Sequence, residues 1–233
     1  MDVNSLTRTA GLIGEPGRIQ MLITLLDGNR HSASELAMAA DVSAQAASVH
    51  LSKLLAGGLI ASEHSGRQRL FRLKNADVAA AIEALGALAP DSTALAMPEI
   101  RFARTCYDHL AGVLAIALRN QFLEREALRQ GKNGFTLTGS GELLLRSLDL
   151  EADSLHALRR SFAHKCLDWT ERHHHIGGAL GAALLSRFLE RKWLARIRDT
   201  RAVRLTHEGN YEFERRFGIH SAELRVLPPS SRR

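Results

Sequence analysis

Two segments in the second half of the chain are similar to each other, and this similarity restricts the possible folds more than any other feature of the sequence. Residues 109–125 (HLAGVLAIALRNQFLER) align without a gap on residues 175–191 (HIGGALGAALLSRFLER), and 9 of the 17 positions are identical. We interpret the region as an internal duplication with repeats at about 101–150 and 161–219. Two copies predict a compact domain with a pseudo-twofold axis rather than an extended array.

Each repeat is predicted to contain a long helix, a short extended stretch and a second helix that begins after Thr138 or Thr206. We therefore predict a mainly α fold in two domains, residues 1–97 and residues 98–233, of which the second is helical. Glycines in the apolar runs, with neighbouring alanines, are expected to let the long helices of the two repeats pack closely. These glycines are Gly112, Gly177, Gly178 and Gly181.

The only two cysteines of the chain, Cys106 and Cys166, stand at equivalent positions of the repeats, and each precedes an aspartate and a histidine. Two thiolates and two imidazoles suit a tetrahedral zinc ion or another thiophilic divalent ion. If the long helix includes Cys106, its side chain shares a helix face with that of His109. The candidate ligands are Cys106, His109, Cys166 and His175, and Asp108 and Asp168 are their carboxylate partners or alternative ligands.

Other interpretations of these residues stay open, because a duplication copies a packing residue as faithfully as a ligand. Free cysteines are often buried apolar side chains. A cysteine pair in a reducing compartment is also typical of a redox sensor. Asp108 is expected to cap a helix or to pair with an arginine such as Arg104. A small organic effector in a pocket near Trp169 is the remaining alternative.

The first third of the chain has the pattern of a helix-turn-helix followed by a β-hairpin. Apolar spacing predicts a first helix that stops at residues 27–29 (DGN). Ser32 and Glu35 form a predicted capping box, and Ser43 is predicted to cap a helix over residues 44–56. The stretch LIASEHSGRQRLFRLK then alternates apolar and polar residues on both sides of a basic tip, which predicts a two-stranded wing.

Residues 32–73 (SASELAMAADVSAQAASVHLSKLLAGGLIASEHSGRQRLFRL), with the helix before them, resemble the ArsR/SmtB family of bacterial repressors. The resemblance covers about residues 16–88 and implies a dimeric winged helix that binds a palindromic double-stranded DNA operator. The metal sites of that family do not carry over. The first motif helix has no cysteine, and the helix after the wing, residues 75–90 (NADVAAAIEALGALAP), has no histidine. An effector is therefore expected to act at the C-terminal domain.

The resemblance implies DNA contacts from the second motif helix and from the wing. Gln45 is expected to read adenine and Ser48 to contact a base or a phosphate. The basic side chains of Lys53, Arg67 and Arg69 are expected to contact phosphate or the minor groove. The net charge of the chain is +6, but residues 1–97 hold 8 Lys and Arg against 9 Asp and Glu, so net charge does not locate this surface. The expected DNA-binding residues are Ser43, Gln45, Ala46, Ser48, Ser52, Lys53, Arg67 and Arg69.

The apolar runs are shorter than the roughly 20 residues of a membrane span, and the first residues lack a signal-peptide pattern, so we expect a cytoplasmic protein with no membrane partner. We interpret the chain as a homodimeric, effector-released transcriptional repressor that senses a metal ion or a small molecule and is not an enzyme. The alternatives are a constitutive architectural DNA-binding protein and a DNA-binding module fused to a metal- or thiol-dependent enzyme.

Overall fold

The chain divides into two compact units, Met1–Ile82 and Glu83–Arg233. The predicted domain boundary after residue 97 lies at the end of a segment outside the described residues. Among the described residues, no helix combines the length and the apolar character needed to cross a bilayer. The computed structural model describes residues 2–66, 68–88, 98–198 and 200–225.

The first unit is a winged helix-turn-helix preceded by an additional helix that the sequence did not predict. Its elements in chain order are α1 (Val3–Ile13), α2 (Pro16–Thr24), a 3-10 turn (Leu25–Asp27), β1 (His31–Ser32), α3 (Ala33–Ala39), α4 (Ala44–Ala56), β2 (Ile60–Ser65), β3 (Gln68–Leu73) and α5 (Ala76–Leu88), which continues into the second unit. The strands form one antiparallel sheet in the order β1-β3-β2, and β2 with β3 is the predicted wing.

The local signals predicted for this unit are present at the predicted positions. The Ser32 hydroxyl accepts from the Glu35 amide at 3.3 Å, and the Glu35 carboxylate accepts from the Ser32 amide at 2.6 Å, which completes the capping box. Ser43 caps α4 by accepting from the Ala46 amide at 3.1 Å. The inner face of α4 then packs against α2 and α3 in the core of the unit. Its fully buried residues are Ala47, Leu51 and Leu54.

The second unit differs from the helical domain that the sequence predicted, because four short antiparallel hairpins separate its helices. In the protein as a whole, 54% of the residues are helical and 19% are in strands, so the prediction of a mainly α protein is confirmed. The prediction of a purely helical second domain is not. The elements are α6 (Pro98–Phe102), β4 (Arg104–Cys106), β5 (His109–Ala111), α7 (Val113–Glu124), β6 (Leu128–Gln130), β7 (Phe135–Leu137), α8 (Gly139–Ser147), α9 (Ala152–His156), β8 (Lys165–Leu167), β9 (His174–Ile176), α10 (Gly178–Glu190), β10 (Leu194–Arg196), β11 (Val203–Leu205), α11 (His207–Phe217) and α12 (Ser221–Arg225).

The two halves of the second unit share one order of elements: hairpin, long helix, hairpin, helix. Thr138 and Thr206 cap α8 and α11 as predicted, by accepting from amides three residues later. The first hairpin of each half was missed because three-residue strands are too short to show a period of two. Both halves contribute to one apolar core, in which the aromatic residues are Phe102, Phe122, Phe135, Phe188, Trp193, Phe213 and Phe217.

Glycines explain why each long helix begins after the hairpin and does not include the cysteine. Gly112 and Gly178 have φ of 91° and 83°, a region that side chains with a Cβ rarely adopt. A Cβ on Gly112 would also lie 2.6 Å from the Arg101 carbonyl oxygen, so the close approach is to backbone. Gly181 of α10 packs against β5, where its Cβ position lies 3.0 Å from that of His109. The close packing therefore joins a long helix to the hairpin of the other half.

Candidate metal centre and DNA-binding surface

The candidate ligands stand in pairs beside the turns of two hairpins. Cys106 is the direct cross-strand partner of His109 in β4 and β5, and Cys166 is the partner of His175 in β8 and β9. Cross-strand partners project from the same face of a sheet, so each hairpin presents one thiol and one imidazole together. The predicted helical spacing of Cys106 and His109 is wrong, but the hairpin brings the same two side chains together.

The two hairpins face each other and gather the four side chains into one buried cluster. The Sγ atoms of Cys106 and Cys166 are 3.8 Å apart, and the Nε2 atoms of His109 and His175 are 3.2 Å apart. All four candidate ligand atoms lie within 4.8 Å of one another. Two sulfurs at about 2.3 Å from one tetrahedral ion are about 3.8 Å apart, and two imidazole nitrogens at about 2.0 Å are about 3.3 Å apart. The separations therefore suit one tetrahedral ion.

A carboxylate lies behind each histidine of the cluster. Nδ1 of His109 is 3.2 Å from Asp108, and Nδ1 of His175 is 3.5 Å from Asp168. Both rings therefore turn Nε2 toward the centre of the cluster. This arrangement fixes the tautomer that leaves Nε2 free to coordinate, and it is the usual environment of histidines that bind zinc.

The two carboxylates are held in different ways. Asp168 accepts from the amides of Gly112, Thr170 and Glu171 at 2.7–3.1 Å, and from the guanidinium of Arg104 at 3.1 Å. Asp108, in contrast, is held by Arg160 at 2.5 Å. Asp108 therefore pairs with an arginine, as one alternative expected, but the arginine is Arg160 and not Arg104, because Arg104 crosses to the carboxylate of the other half.

Burial and mutual contact control the ionisation of the cluster. The hydrogen bond with Cys166, followed by burial, raises the pKa of Cys106 well above its usual value, so the thiol is protonated when no ion is bound. Burial with His109 nearby lowers the pKa of His175 well below its usual value. Burial opposes protonation of His109, but the thiolate form of Cys106 and hydrogen bonds to Asp108 and Cys106 favour it and raise its pKa to about 9. A neutral His175 can accept from the Nε2–H of His109.

Two buried charged residues lie next to the cluster: Glu83 was not singled out in the sequence, and Arg104 was considered only as a partner of Asp108. Arg104 is fully buried and stacks over the Trp169 ring, with its guanidinium carbon 5.1 Å from the ring centroid. Glu83 of α5 is 2% exposed and lies 3.6 Å from Arg104 and 2.6 Å from Arg201. Neither residue belongs to a local motif, and their partners are far away in sequence, so no sequence pattern marks them.

The predicted DNA-contacting side chains of the first unit lie on α4 and the wing. Ser43, Gln45, Ser48, Ser52 and Lys53 are exposed, whereas Ala46 is half-buried. Ser43 is already used as the helix cap, which leaves its hydroxyl proton for another contact.

The wing and one further residue of α4 complete this surface. Arg69 is exposed and donates two hydrogen bonds to the Ser62 hydroxyl, at 2.9 and 3.0 Å, while Arg67 lies outside the described residues. Val49 is 49% exposed on α4 and was not predicted, although apolar side chains at this position of a motif helix suit contact with thymine methyl groups. The surface is polar with a basic wing.

The helix-turn-helix with its wing defines the class of the protein: it is a winged-helix DNA-binding protein. No protein-family profile matches the chain. It is 40% identical over 221 residues to YdfF of Bacillus subtilis (strain 168), an HTH-type transcriptional regulator described as uncharacterized. The alignment covers 92% of this chain and 98% of YdfF. The chain belongs to this family of helix-turn-helix transcriptional regulators, which confirms that part of the prediction.

Solved structures resemble the chain over its N-terminal part. A homodimeric winged helix-turn-helix domain of a possible ArsR-family regulator from Mycobacterium bovis is 22% identical, covers 38% of this chain and 82% of its own, and has a TM-score of 0.36. Reduced HlyU from Vibrio cholerae N16961 is 29% identical over 37% of this chain and 90% of its own (TM-score 0.34). The cadmium sensor CMTR from Mycobacterium tuberculosis is 28% identical, covers 36% of this chain and 83% of its own, and has a TM-score of 0.30.

Proposed function

We propose that this regulator is a homodimeric, cytoplasmic repressor of ArsR type that leaves its operator when a divalent ion such as zinc occupies the cluster of Cys106, His109, Cys166 and His175. The observation that carries the proposal is the cluster itself, in which each half supplies one thiol and one carboxylate-backed imidazole. In this proposal residues 1–97 bind DNA and residues 98–233 sense the ion. Release requires that the ion favours a state with lower operator affinity.

Charge balance favours a divalent ion over a monovalent one. Two thiolates and two neutral imidazoles carry a charge of −2, which a divalent ion cancels. The neighbouring ions already form balanced pairs, so they supply no spare charge; these pairs are Asp108 with Arg160, Asp168 with Arg104, and Glu83 with Arg201. Uncompensated charge is costly in a buried site. Four protein ligands also leave no open coordination position, which is typical of a structural or regulatory ion rather than a catalytic one.

The competing effectors fit the same region less well. A disulfide between Cys106 and Cys166 is sterically near at 3.8 Å, but it would use only the two thiols, whereas one ion uses the two thiols and the two imidazoles together. A cavity between the two halves of the second unit, lined by Leu110, Ile176 and Gly181 among others, has a volume of about 10 Å³. Organic ligands need pockets of about 300 Å³ or more.

The exposed apolar face of α1 supports a dimer. No residue of α1 is buried, and Val3 and Leu6 are 73% and 55% exposed. An amphipathic helix without a buried face is normally covered by a partner. We propose a second copy of the chain as that partner, because a twofold dimer matches a palindromic operator. We also propose that the two halves of the second unit arose by duplication, since they share the order of elements and the Cys–His register.

The first experiment measures metal in protein without a histidine tag and purified without a nickel column, because the exposed His173 and His174 would also bind such a column. Protein purified under reducing conditions from zinc-supplemented cells should contain one zinc per chain by elemental mass spectrometry. The variant with Cys106→Ser and Cys166→Ser should contain none and remain folded by circular dichroism. Wild-type protein that takes up no zinc, even after direct titration, would contradict the proposal.

The second experiment tests release from DNA. Operator DNA is selected from random duplexes with the metal-free protein, and its affinity is measured with and without equimolar zinc. Zinc should weaken binding of the wild type by roughly 5- to 150-fold, the usual range of allosteric coupling, and leave the double serine variant unaffected. Equal affinity in both conditions would instead favour a constitutive DNA-binding protein.

A further inference from the structure

We infer that Glu83, Arg104 and Asp168 form a buried ionic connection that couples ion binding at the cluster to helix α5. The inference rests on the proposed function and assigns these residues a regulatory role within it. They do not coordinate the ion. They position α5 according to whether His175 is coordinated.

The connection consists of consecutive contacts between buried groups. His175 Nδ1 lies 3.5 Å from Oδ2 of Asp168, and the same oxygen accepts from Arg104 Nη2 at 3.1 Å. Arg104 Nη2 in turn lies 3.6 Å from Oε2 of Glu83 on α5. The side chains of Arg104 and Asp168 are fully buried, and that of Glu83 is 1% exposed.

Holding these ions in the interior is costly, and coordination of the ion does not by itself account for Glu83. Moving a charge from water into a protein interior costs several kcal/mol, and a buried pair is often no more stabilising than apolar residues of the same size. Asp168 already neutralises the charge of Arg104, so this pair does not need a second carboxylate on α5. Buried ionic groups of this kind are best known for specifying one of two arrangements.

The state of His175 changes the demand on the oxygen that Arg104 uses. His175 Nδ1 already faces Oδ2 of Asp168 at 3.5 Å, and an ion on Nε2 would withdraw electron density from the ring and make the Nδ1–H a stronger donor to that oxygen. That oxygen already accepts from the Gly112 amide at 2.7 Å and from Arg104. A stronger hydrogen bond from His175 to this shared oxygen weakens the contact of the oxygen with Arg104. The guanidinium is then freer to approach Glu83, whose present separation of 3.6 Å is longer than a hydrogen bond.

Helix α5 is placed to carry this change toward the DNA-binding unit. It begins at Ala76, shortly after the last wing strand ends at Leu73, and the boundary between the two units falls within it, after Ile82. Ala79 and Ile82 of the same helix are buried. A helix is a continuous hydrogen-bonded rod, so a tighter hold on Glu83 also restrains the turns before it.

The test compares hydrogen exchange of the amides of residues 76–88 with and without one equivalent of zinc. Zinc should slow this exchange at least about tenfold in the wild type and less than about twofold in Glu83→Gln, while both bind one zinc per chain. Zinc should also change operator affinity by less than about threefold in Glu83→Gln. The matched control is Arg201→Gln. This change removes the ion pair between Glu83 and Arg201, which is not part of the connection to the cluster, so zinc should slow exchange in residues 76–88 as much as in the wild type.

Three outcomes separate the inference from the proposed function. Zinc uptake with an unchanged α5 response in Glu83→Gln overturns the inference alone. If Arg201→Gln loses the zinc-dependent slowing of exchange as fully as Glu83→Gln, the inference is also overturned, because either change would then act by destabilising the region around Glu83. Absence of zinc uptake in the wild type overturns both. If Glu83→Gln does not fold, Glu83→Gln combined with Arg201→Gln removes one charge of each sign and is expected to fold without the response.

Discussion

At the scale of single residues, the two carboxylates behind the histidines differ in their exposure and in their partners. Asp168 is inaccessible and held by several donors, whereas Asp108 is 28% exposed and paired with Arg160. A change at Asp168 therefore removes backbone anchors as well as a partner of histidine. A change at Asp108 tests the orientation of His109 with little disturbance of the fold.

Replacement of Asp108 by Asn should lower zinc affinity by about 10- to 100-fold, because a neutral amide oxygen is a weaker acceptor for the His109 ring and is no longer held by an ion pair with Arg160. The free energy of unfolding of the metal-free protein should fall by no more than about 1 kcal/mol, since the ion pair is partly exposed. Competition with a fluorescent chelator measures the affinity. Asp149→Asn, which removes a carboxylate paired with Arg191 on the surface, is the control and should leave affinity unchanged. Equal losses in the two variants would contradict the role of Asp108.

The contact of His31 with Asp27, 2.9 Å long, should make stability depend on pH. Hydrogen bonding to Asp27 raises the pKa of His31; burial opposes ionisation of Asp27, but hydrogen bonds to His31 and Asn29 outweigh it and lower its pKa. The His31 contribution is therefore complete below its usual pKa of 6.5 and disappears as pH rises through the raised value. The Asp27 contribution is lost only as pH falls through its lowered pKa.

Chemical denaturation at several pH values measures this effect. The difference in free energy of unfolding between wild type and His31→Gln should be largest near pH 5–6, below about 1 kcal/mol in size, and should shrink above pH 7. A difference that grows as pH rises would reverse the sign and contradict the assignment.

At the scale of elements, the junction between each first hairpin and its long helix depends on glycine. Gly112→Ala and Gly178→Ala should each lower the free energy of unfolding by at least about 2 kcal/mol, because a positive φ is combined with a clash against backbone oxygen. Zinc affinity should fall as well, since these junctions hold the cysteine–histidine hairpins in place. Gly139→Ala is the matched control, because no atom lies within 4 Å of its Cβ position. Urea titration measures the free energy of unfolding of the three variants. Equal values for Gly139→Ala and for the two junction variants would contradict the role of glycine at the junctions.

The recognition helix and the wing should contribute to DNA binding in different ways. Gln45→Ala should cost about 1–3 kcal/mol on the selected operator and relax the preference for one base pair, because an amide reads a base edge. Arg69→Ala should weaken binding to all sequences and reduce its salt dependence, because a phosphate contact is lost. Fluorescence anisotropy at several salt concentrations measures both. Arg129→Ala, an exposed arginine of β6, should have no effect, and a similar loss there would point to net charge alone.

At the scale of the whole molecule, the two halves of the second unit share one apolar core and complete one cluster. Zinc that binds the folded state alone should stabilise the protein by about 2.7 kcal/mol when its free concentration is 100 times the dissociation constant. Thermal unfolding with and without a chelator measures the difference. The double variant with Cys106→Ser and Cys166→Ser should show no shift. A shift of equal size in that variant would place the ion elsewhere.

Sequence reasoning succeeded where structure is local. The capping box at Ser32, the cap at Ser43 and the wing alternation depend on residues a few positions apart, so they can be identified directly. It also named the four members of the cluster, because the repeat aligned their positions. It considered Cys106 as part of the long helix and did not predict the hairpin, since a three-residue strand has no period to detect and the apolar run that follows is helical.

The amino-acid sequence by itself determined the DNA-binding unit and the candidate ligands, because caps, turns and repeats are short-range patterns. Only the tertiary structure decided how the ligands meet, which carboxylate each arginine holds and that Glu83 is buried beside them. Arg104 and Asp168 are 64 residues apart, and Glu83 and Arg201 are 118 apart. Such pairings depend on how both halves pack around a common core. A local pattern contains no information about a partner at that distance.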